Sequence, residues 1–200
     1  MEANEKNISP AEGLHLIHTM INTARNKVSE DGFHLMFWGV MVITCCLLNY
    51  FLIGTSYAQW ASYAWLLMPI IGVPAGMLYE KKRQKTGTVK THYDIHIAYM
   101  WWGYTFTLAM IIIFCGFSQI SPVPFILFIT GLVTFATGRM IQFTPLVVGA
   151  LIFWACGLLC LKITGAEQLL VQAGSIFLGY IVPGILLWRN AKQERHVQTA

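Results

Sequence analysis

The chain has 200 residues, of which 56% are hydrophobic and only 11% charged, with a formal net charge of +4 and a mean hydropathy of +0.58. Water cannot solvate a chain of this composition, which excludes a water-soluble globular domain and defines an integral membrane protein. No nucleic acid is expected as a partner.

The chain opens with a polar segment, residues 1–32. It carries eight charges and no continuous apolar stretch of the signal-peptide kind, so a cleavable leader is not expected and the first span serves as its own insertion signal. Ser9, Pro10 and Glu12 mark a helix start. Leu14, Ile17, Ile21, Ala24 and Val28 then recur at spacings of three and four. Leu16 and Met20 widen this stripe, and His15, Thr19, Asn22, Arg25 and Asn26 hold polar positions. The spacing predicts a cytoplasmic amphipathic helix from Pro10 to about Lys27, roughly 27 Å long at 1.5 Å per residue. Residues 29–32 separate it from the first span. Its apolar face has three coverings open to it: the inner leaflet, the bundle's own cytoplasmic face, or a partner helix in a dimer or heterocomplex. Arg25 and Lys27 are few positive charges for a lipid-surface helix, and Glu12 opposes them. Leu14, Ile17, Ile21, Ala24 and Val28 are therefore the candidate partner-binding residues.

Six apolar stretches follow, at about 33–52, 60–79, 95–117, 122–138, 145–161 and 168–188, each near the roughly 20 residues needed to cross the hydrocarbon core. The expected fold is an all-α membrane protein: residues 1–32 as the cytoplasmic helix, 33–188 as a bundle of six transmembrane helices, and 189–200 as a cytoplasmic tail. Basic residues near span ends stay in the cytoplasm. With six spans, both termini share one side with Lys6, Arg25, Lys27, Lys81, Lys82, Arg83, Lys85, Lys90, Arg139, Arg189, Lys192 and Arg195, while Lys162 stands alone opposite. Both termini are expected in the cytoplasm. The basic loop "YEKKRQKTGTVKTHYDIH" at 79–96 is then chiefly a topological anchor, with attraction to the lipid bilayer as an addition.

The acidic residues fit helix starts. Ser9 with Glu12, Thr91 with Asp94 and Thr164 with Glu167 have capping-box spacing, and Glu30 and Asp31 follow Ser29 ahead of the first span. Ser121-Pro122 and Thr144-Pro145 put a cap residue before a proline. No Asp, Glu, Lys or Arg lies mid-span, which disfavours an ion-coupled carrier. The polarity inside the spans is neutral: Thr44, Asn49, Tyr104, Thr105, Thr107, Thr134, Thr137, Gln172 and Ser175.

Small residues that allow close backbone approach mark packing seams. Gly72-x-x-x-Gly76 is one, and Gln168, Gln172, Ser175, Gly179 and Pro183 form another along one face of the last helix. Pro74 and Pro183 are expected to kink their helices. A weak repeat links Phe37-Trp38-Gly39, Trp101-Trp102-Gly103 and Phe153-Trp154-Ala155, and "VPAGMLYEKK" echoes "VPGILLWRNAK", suggesting three helical hairpins. Cys45, Cys46, Cys115, Cys156 and Cys160 fall inside spans and read as small packing residues. His15, His18, His34, His92, His96 and His196 share the cytoplasmic side, but no motif fixes a ligand set, so no metal or other cofactor is expected.

The stretches "ISPAEGLHLIHTMI", "FWGVMVI", "TGRMIQFTPLVVGALIFW" and "LGYIVPGILLWR", in this order, resemble a family of small, uncharacterised six-helix integral membrane proteins common in Bacteroidetes. The resemblance spans nearly the whole chain. It implies a bacterial inner-membrane location and the same helix plan, and it carries over no activity, cofactor or catalytic residue. Two functions fit these features. One is a non-enzymatic accessory or regulatory protein presenting its cytoplasmic helix to a protein partner or a second copy. The other is a small permease or efflux protein for an apolar or neutral solute. The absence of buried charge and the amphipathic segment favour the first.

Overall fold

The computed structural model describes the backbone of residues 10–84 and 92–189, and side chains at 32–78, 81 and 98–189. The side chains of Leu14, Ile17, Ile21, Ala24 and Val28 lie outside this description, as do Ser9, Thr91, Lys85, Lys90, the side chains of His92, Asp94 and His96, and the tail at 190–200. Among the described residues every regular element is helical.

Helix α1 runs without interruption through Pro10–Ile53, 44 residues, or about 66 Å at 1.5 Å per residue. Within it, Gly32–Ile53 is long and apolar enough to cross a membrane. The expected break at 29–32 is therefore corrected: no new helix starts at Ser29, Glu30 and Asp31. Gly32 is the one poor helix former in that stretch, and a single interior glycine weakens a helix by only about 1 kcal/mol. Gly32 has a packing use instead. A methyl group there would meet the Gly184 carbonyl oxygen at 3.0 Å and the Trp188 amide nitrogen at 3.2 Å.

The second span, Ala58–Leu78, is built from three kinds of helix. It begins as a 3-10 helix, Ala58–Leu66, passes through a π turn, Met68–Gly72, and ends as α2, Val73–Gln84. In a 3-10 helix residues three apart eclipse, which stacks Ala61 above Ala64. Both alanines are buried, where the segment packs on α1. Trp60 and Tyr63 are likewise neighbours, with ring centroids 5.2 Å apart and planes tilted by 39°, and both are exposed.

The remaining spans are α3 (His92–Ser118), α4 (Val123–Met140), α5 (Thr144–Cys160) and the last span, which joins α6 (Glu167–Ile176) to a π turn (Phe177–Ile181) and continues to Arg189. The two π turns stand immediately ahead of Val73-Pro74 and Val182-Pro183. Proline lacks an N–H and pushes away the carbonyl four residues back, and the wider π turn absorbs both effects. The echo between "VPAGMLYEKK" and "VPGILLWRNAK" is thus an echo of backbone. The poorer third, "ATGRMIQ", lies at the end of α4, which is α-helical throughout.

Two helices end on a glutamine with positive φ, Gln119 (54°) and Gln142 (55°). Behind each, the next amide reaches back five residues, Ile120 N to Cys115 O at 3.1 Å and Phe143 N to Gly138 O at 2.9 Å. This is the Schellman C-cap, with glutamine in the place usually taken by glycine. The expected hydroxyl caps are replaced. α6 has Ala166 at its N-cap and α5 has Phe143, neither with a side-chain cap bond, so Thr164 with Glu167 makes no capping box and Thr144 makes no cap. Gly165, at φ 81°, turns the chain so that Gln168 and Leu169 amides bond the Gly165 and Ala166 carbonyls. Ser121 does accept from the Val123 amide, at 3.4 Å.

The bundle is not a closed ring. α1 packs on the second and the last span; α4, α5 and the last span pack mutually; α3 touches α4 alone among the described elements. Small residues set the closest approaches, as expected where lipid gives no hydrophobic drive. Trp38 lies over Gly72, within 3.2 Å of a methyl placed there, and reaches Gly76 at 3.8 Å. Its neighbour Gly39 receives Ile181 and Tyr180. The aromatic-Trp-small triplet of α1 therefore locks both π-turned spans at once. Its counterpart on α3 does not act this way, because Gly103 has nothing within 4 Å.

Candidate functional site

Buried polar side chains mark the place where a membrane bundle can do more than pack. Among the described residues they are Asn49, Thr130, Thr134, Thr137, Gln168, Gln172 and Ser175, none of them charged. Apart from Asn49, they fall into three groups.

The first group closes the end of the bundle opposite the α1 extension. Gln168 Nε2 donates to the Cys160 carbonyl at 2.8 Å and the Ile163 carbonyl at 2.7 Å. Its Oε1 accepts from the Ser121 hydroxyl. One side chain thus satisfies the end of α5, the turn after it and the residue that starts α4. Ser121-Pro122 reads as a cap from sequence, and its bond to a residue 47 positions away is beyond any local signal.

The second group is a set of hydroxyls between α3, α4 and the last span. Tyr104 Oη and Thr130 Oγ1 share a hydrogen bond of 3.1 Å, and Tyr180 Oη and Thr134 Oγ1 share another of 3.1 Å. Thr130 and Thr134 lie one helical turn apart, so one face of α4 receives a tyrosine from each neighbour. Thr130 and Tyr180 are not among the polar positions singled out from sequence; Thr130 stands one helical turn before Thr134, which is a local signal, whereas nothing local marks Tyr180. Thr137 bonds its own helix, to the Val133 carbonyl at 2.8 Å, as Thr44, Thr105 and Thr107 do to Val40, Trp101 and Gly103.

The third group is the seam between α5 and the last span. Gln168, Gln172, Ser175 and Gly179 recur at four, three and four, and all are buried. On α5, Gly149, Phe153, Cys156 and Cys160 recur at the same intervals; Gly149 and Phe153 meet Gly179, and Cys160 meets Gln168. A methyl on Gly179 would meet the Phe153 ring at 2.4 Å. Ser175 Oγ donates to the Gln172 carbonyl at 2.8 Å. The Gln172 side-chain oxygen is enclosed and has no hydrogen-bond partner.

Other residues raised by the sequence are placed as follows. Cys45, Cys46, Cys115 and Cys160 are buried and Cys156 is half-buried, all as free thiols. His34 Nε2 accepts the Trp38 indole N–H at 2.9 Å, which ties the histidine to the Trp38 seam. Among the described residues no three His, Cys, Asp or Glu side chains gather as a metal site would require.

These features define an all-helical, multi-pass membrane protein, with five helices long and apolar enough to cross and a sixth, Thr144–Cys160, that is shorter. Comparison with known protein families, curated proteins and solved structures finds no match.

Proposed function

We propose that this protein is a non-enzymatic accessory or regulatory protein of a bacterial inner membrane, which presents the cytoplasmic extension of its first helix to a protein partner or a second copy. The observation that carries this reading is the continuity of α1. A helix of about 66 Å is twice the thickness of a hydrocarbon core of roughly 30 Å, so a large part of it stands outside. Because no break intervenes, the extension inherits the orientation of the span. The progression Leu14, Ile17, Ile21, Ala24, Val28 continues at spacings of three and four through Gly32, Leu35, Gly39, Val42 and Cys46. Gly32 and Gly39 meet the last span, and Cys46 shares the core with Ala173 and Ile176 of that span.

Site-specific photocrosslinking tests this reading. A benzophenone side chain at Ile17 or Ile21 is expected to give a discrete protein adduct in membranes, one at Asn22 much less. In the double variant Ile17→Asp with Ile21→Asp, a crosslinker at Ala24 should lose the adduct while membrane insertion persists. Adducts to lipid alone would overturn the proposal.

A second reading, a small permease for an apolar or neutral solute, is favoured by the paired π turns ahead of Pro74 and Pro183. Interrupted helices in corresponding halves are a transporter device. Uptake or efflux by proteoliposomes, abolished when Pro183 is replaced by alanine, would support it over the first.

A further inference from the structure

The second span carries a 3-10 helix of nine residues, Ala58–Leu66, where runs beyond three or four residues are uncommon because the hydrogen bonds are poorer than in an α-helix. A period of three is present in the side chains. Ala58, Ala61 and Ala64 form one column, and Trp60, Tyr63 and Leu66 form another. Ala61 and Ala64 are buried, while Trp60, Tyr63 and Leu66 are exposed. Residues three apart are neighbours on an α-helix too, so the two small alanines can face α1 in either form.

The two forms differ in length. Nine residues span about 18 Å as a 3-10 helix and about 13.5 Å as an α-helix, a difference of about 4.5 Å. Little packing opposes the change, because the backbone of the span closely approaches no described element except α1. The seat on α1 also accepts a shift. The Trp38 ring lies over Gly72, where a methyl would be 3.2 Å from it, and its edge reaches toward Gly76, where a methyl would be 3.8 Å away. These glycines are one turn apart and offer the indole two flat seats about 5–6 Å apart on one track. With the outer end held, shortening draws Gly76 toward the place that Gly72 occupies.

The ends of the span are suited to hold it. Exposed Tyr57, Trp60 and Tyr63 stand at one end, and the chain runs into Lys81, Lys82 and Arg83 at the other. Aromatic and basic side chains keep to the headgroup regions of a bilayer, so the separation of the two surfaces acts along the span. On backbone grounds the α form is preferred, and the extended form persists where the ends are held apart.

We infer that the second span is a length-adjusting element that responds to bilayer thickness. In a thick bilayer Ala58–Leu66 is held as the 3-10 helix with Trp38 on Gly72; in a thin one it relaxes to an α-helix and Trp38 passes to Gly76. A span that cannot change length meets such a mismatch by tilting or by deforming the lipid. The device is independent of the accessory reading, since it requires no partner.

The experiment uses the full chain in dimyristoleoyl (thin) and dierucoyl (thick) phosphatidylcholine bilayers. Genetically encoded nitroxide residues replace Tyr57 and Met77, both exposed, which leaves the cysteines untouched, and their separation is read by pulsed electron resonance. It is expected to be about 4.5 Å shorter in the thin bilayer. A control pair at Phe33 and Phe51 on α1, α-helical throughout, should not change, because tilt alters neither separation. Gly76→Val keeps its β-carbon at an ordinary distance from Trp38 in the present seat and blocks the second, so its separation should stay long in both lipids; Gly76→Ala replaces it if the valine variant does not accumulate. An equal Tyr57–Met77 separation in the two bilayers, an equal change in the control pair, or a Gly76 variant that shortens as the native chain does, overturns the proposal.

Discussion

Gly149 and Gly179 bring α5 and the last span so close that a methyl group added to Gly149 would lie 2.8 Å from the Gly179 carbonyl oxygen and 3.0 Å from its Cα. Both obstacles are helix backbone, which cannot rotate aside as a side chain can. Gly149→Ala is therefore expected to destabilise the protein by about 1–3 kcal/mol, read as an earlier unfolding transition in detergent. Gly174→Ala, on the same span with nothing within 4 Å, should leave it unchanged or slightly higher. Equal behaviour of the two variants would show that the seam is looser than described.

Gln168 joins three chain segments through one amide. Gln168→Leu strands the Cys160 and Ile163 carbonyls and the Ser121 hydroxyl. The Cys160 carbonyl loses its partner in a buried place, at about 1–3 kcal/mol, and the half-buried Ile163 carbonyl and Ser121 hydroxyl each lose a bond as well, so it should be among the more damaging single substitutions in the bundle. Ser121→Ala removes one of the three bonds together with the acceptor of the Val123 amide and should cost about 1–2 kcal/mol. Chemical denaturation of both variants gives the comparison, and a Ser121→Ala effect as large as that of Gln168→Leu would contradict this division.

The two left-handed glutamines make a paired prediction. A non-glycine residue in that conformation loses about 1–2 kcal/mol, so Gln142→Gly should raise thermal stability. Gln119 has the same φ, but its Nε2 also donates to the Gly116 carbonyl at 2.8 Å. Gln119→Gly gains conformational ease and loses that bond, so its net effect should be close to zero. A destabilised Gln142→Gly would assign that side chain a contact of its own.

Topology is checked by reporter fusions. Fusions after Ala200 and within the loop at Gly87 should read cytoplasmic, and fusions at Gly54 and Gly165 should read external, because a six-span arrangement puts twelve of the thirteen Lys and Arg residues on one side. An external signal at Gly87 would reverse the orientation and with it the cytoplasmic placement of α1.

The candidate site was only partly legible in the sequence. The stripe Gln168, Gln172, Ser175 and Gly179 is visible as a periodic face, because periodicity is local. What faces it is not, since Gly149, Phe153, Cys156 and Cys160 belong to another helix and become its complement only when the register is set. Thr164 with Glu167 has the right spacing for a cap and makes none, because Gly165 turns the chain and Ala166 takes the N-cap position.

The sequence by itself determined the class of protein and the positions of the spans, because the exclusion of apolar side chains from water depends on composition over a window of some 20 residues. It also determined which residues permit close packing, since that depends only on their size. Tertiary structure alone decided that α1 passes through Gly32 unbroken, because the contact of Gly32 with Gly184 and Trp188 needs the bare backbone there. Tertiary structure likewise decided that Trp38 and Gly39 engage two different spans, and that Gln168 is satisfied while Gln172 is not. Hydrogen-bond satisfaction inside a membrane is a property of which helices meet and in what register, and neither is written in any one helix.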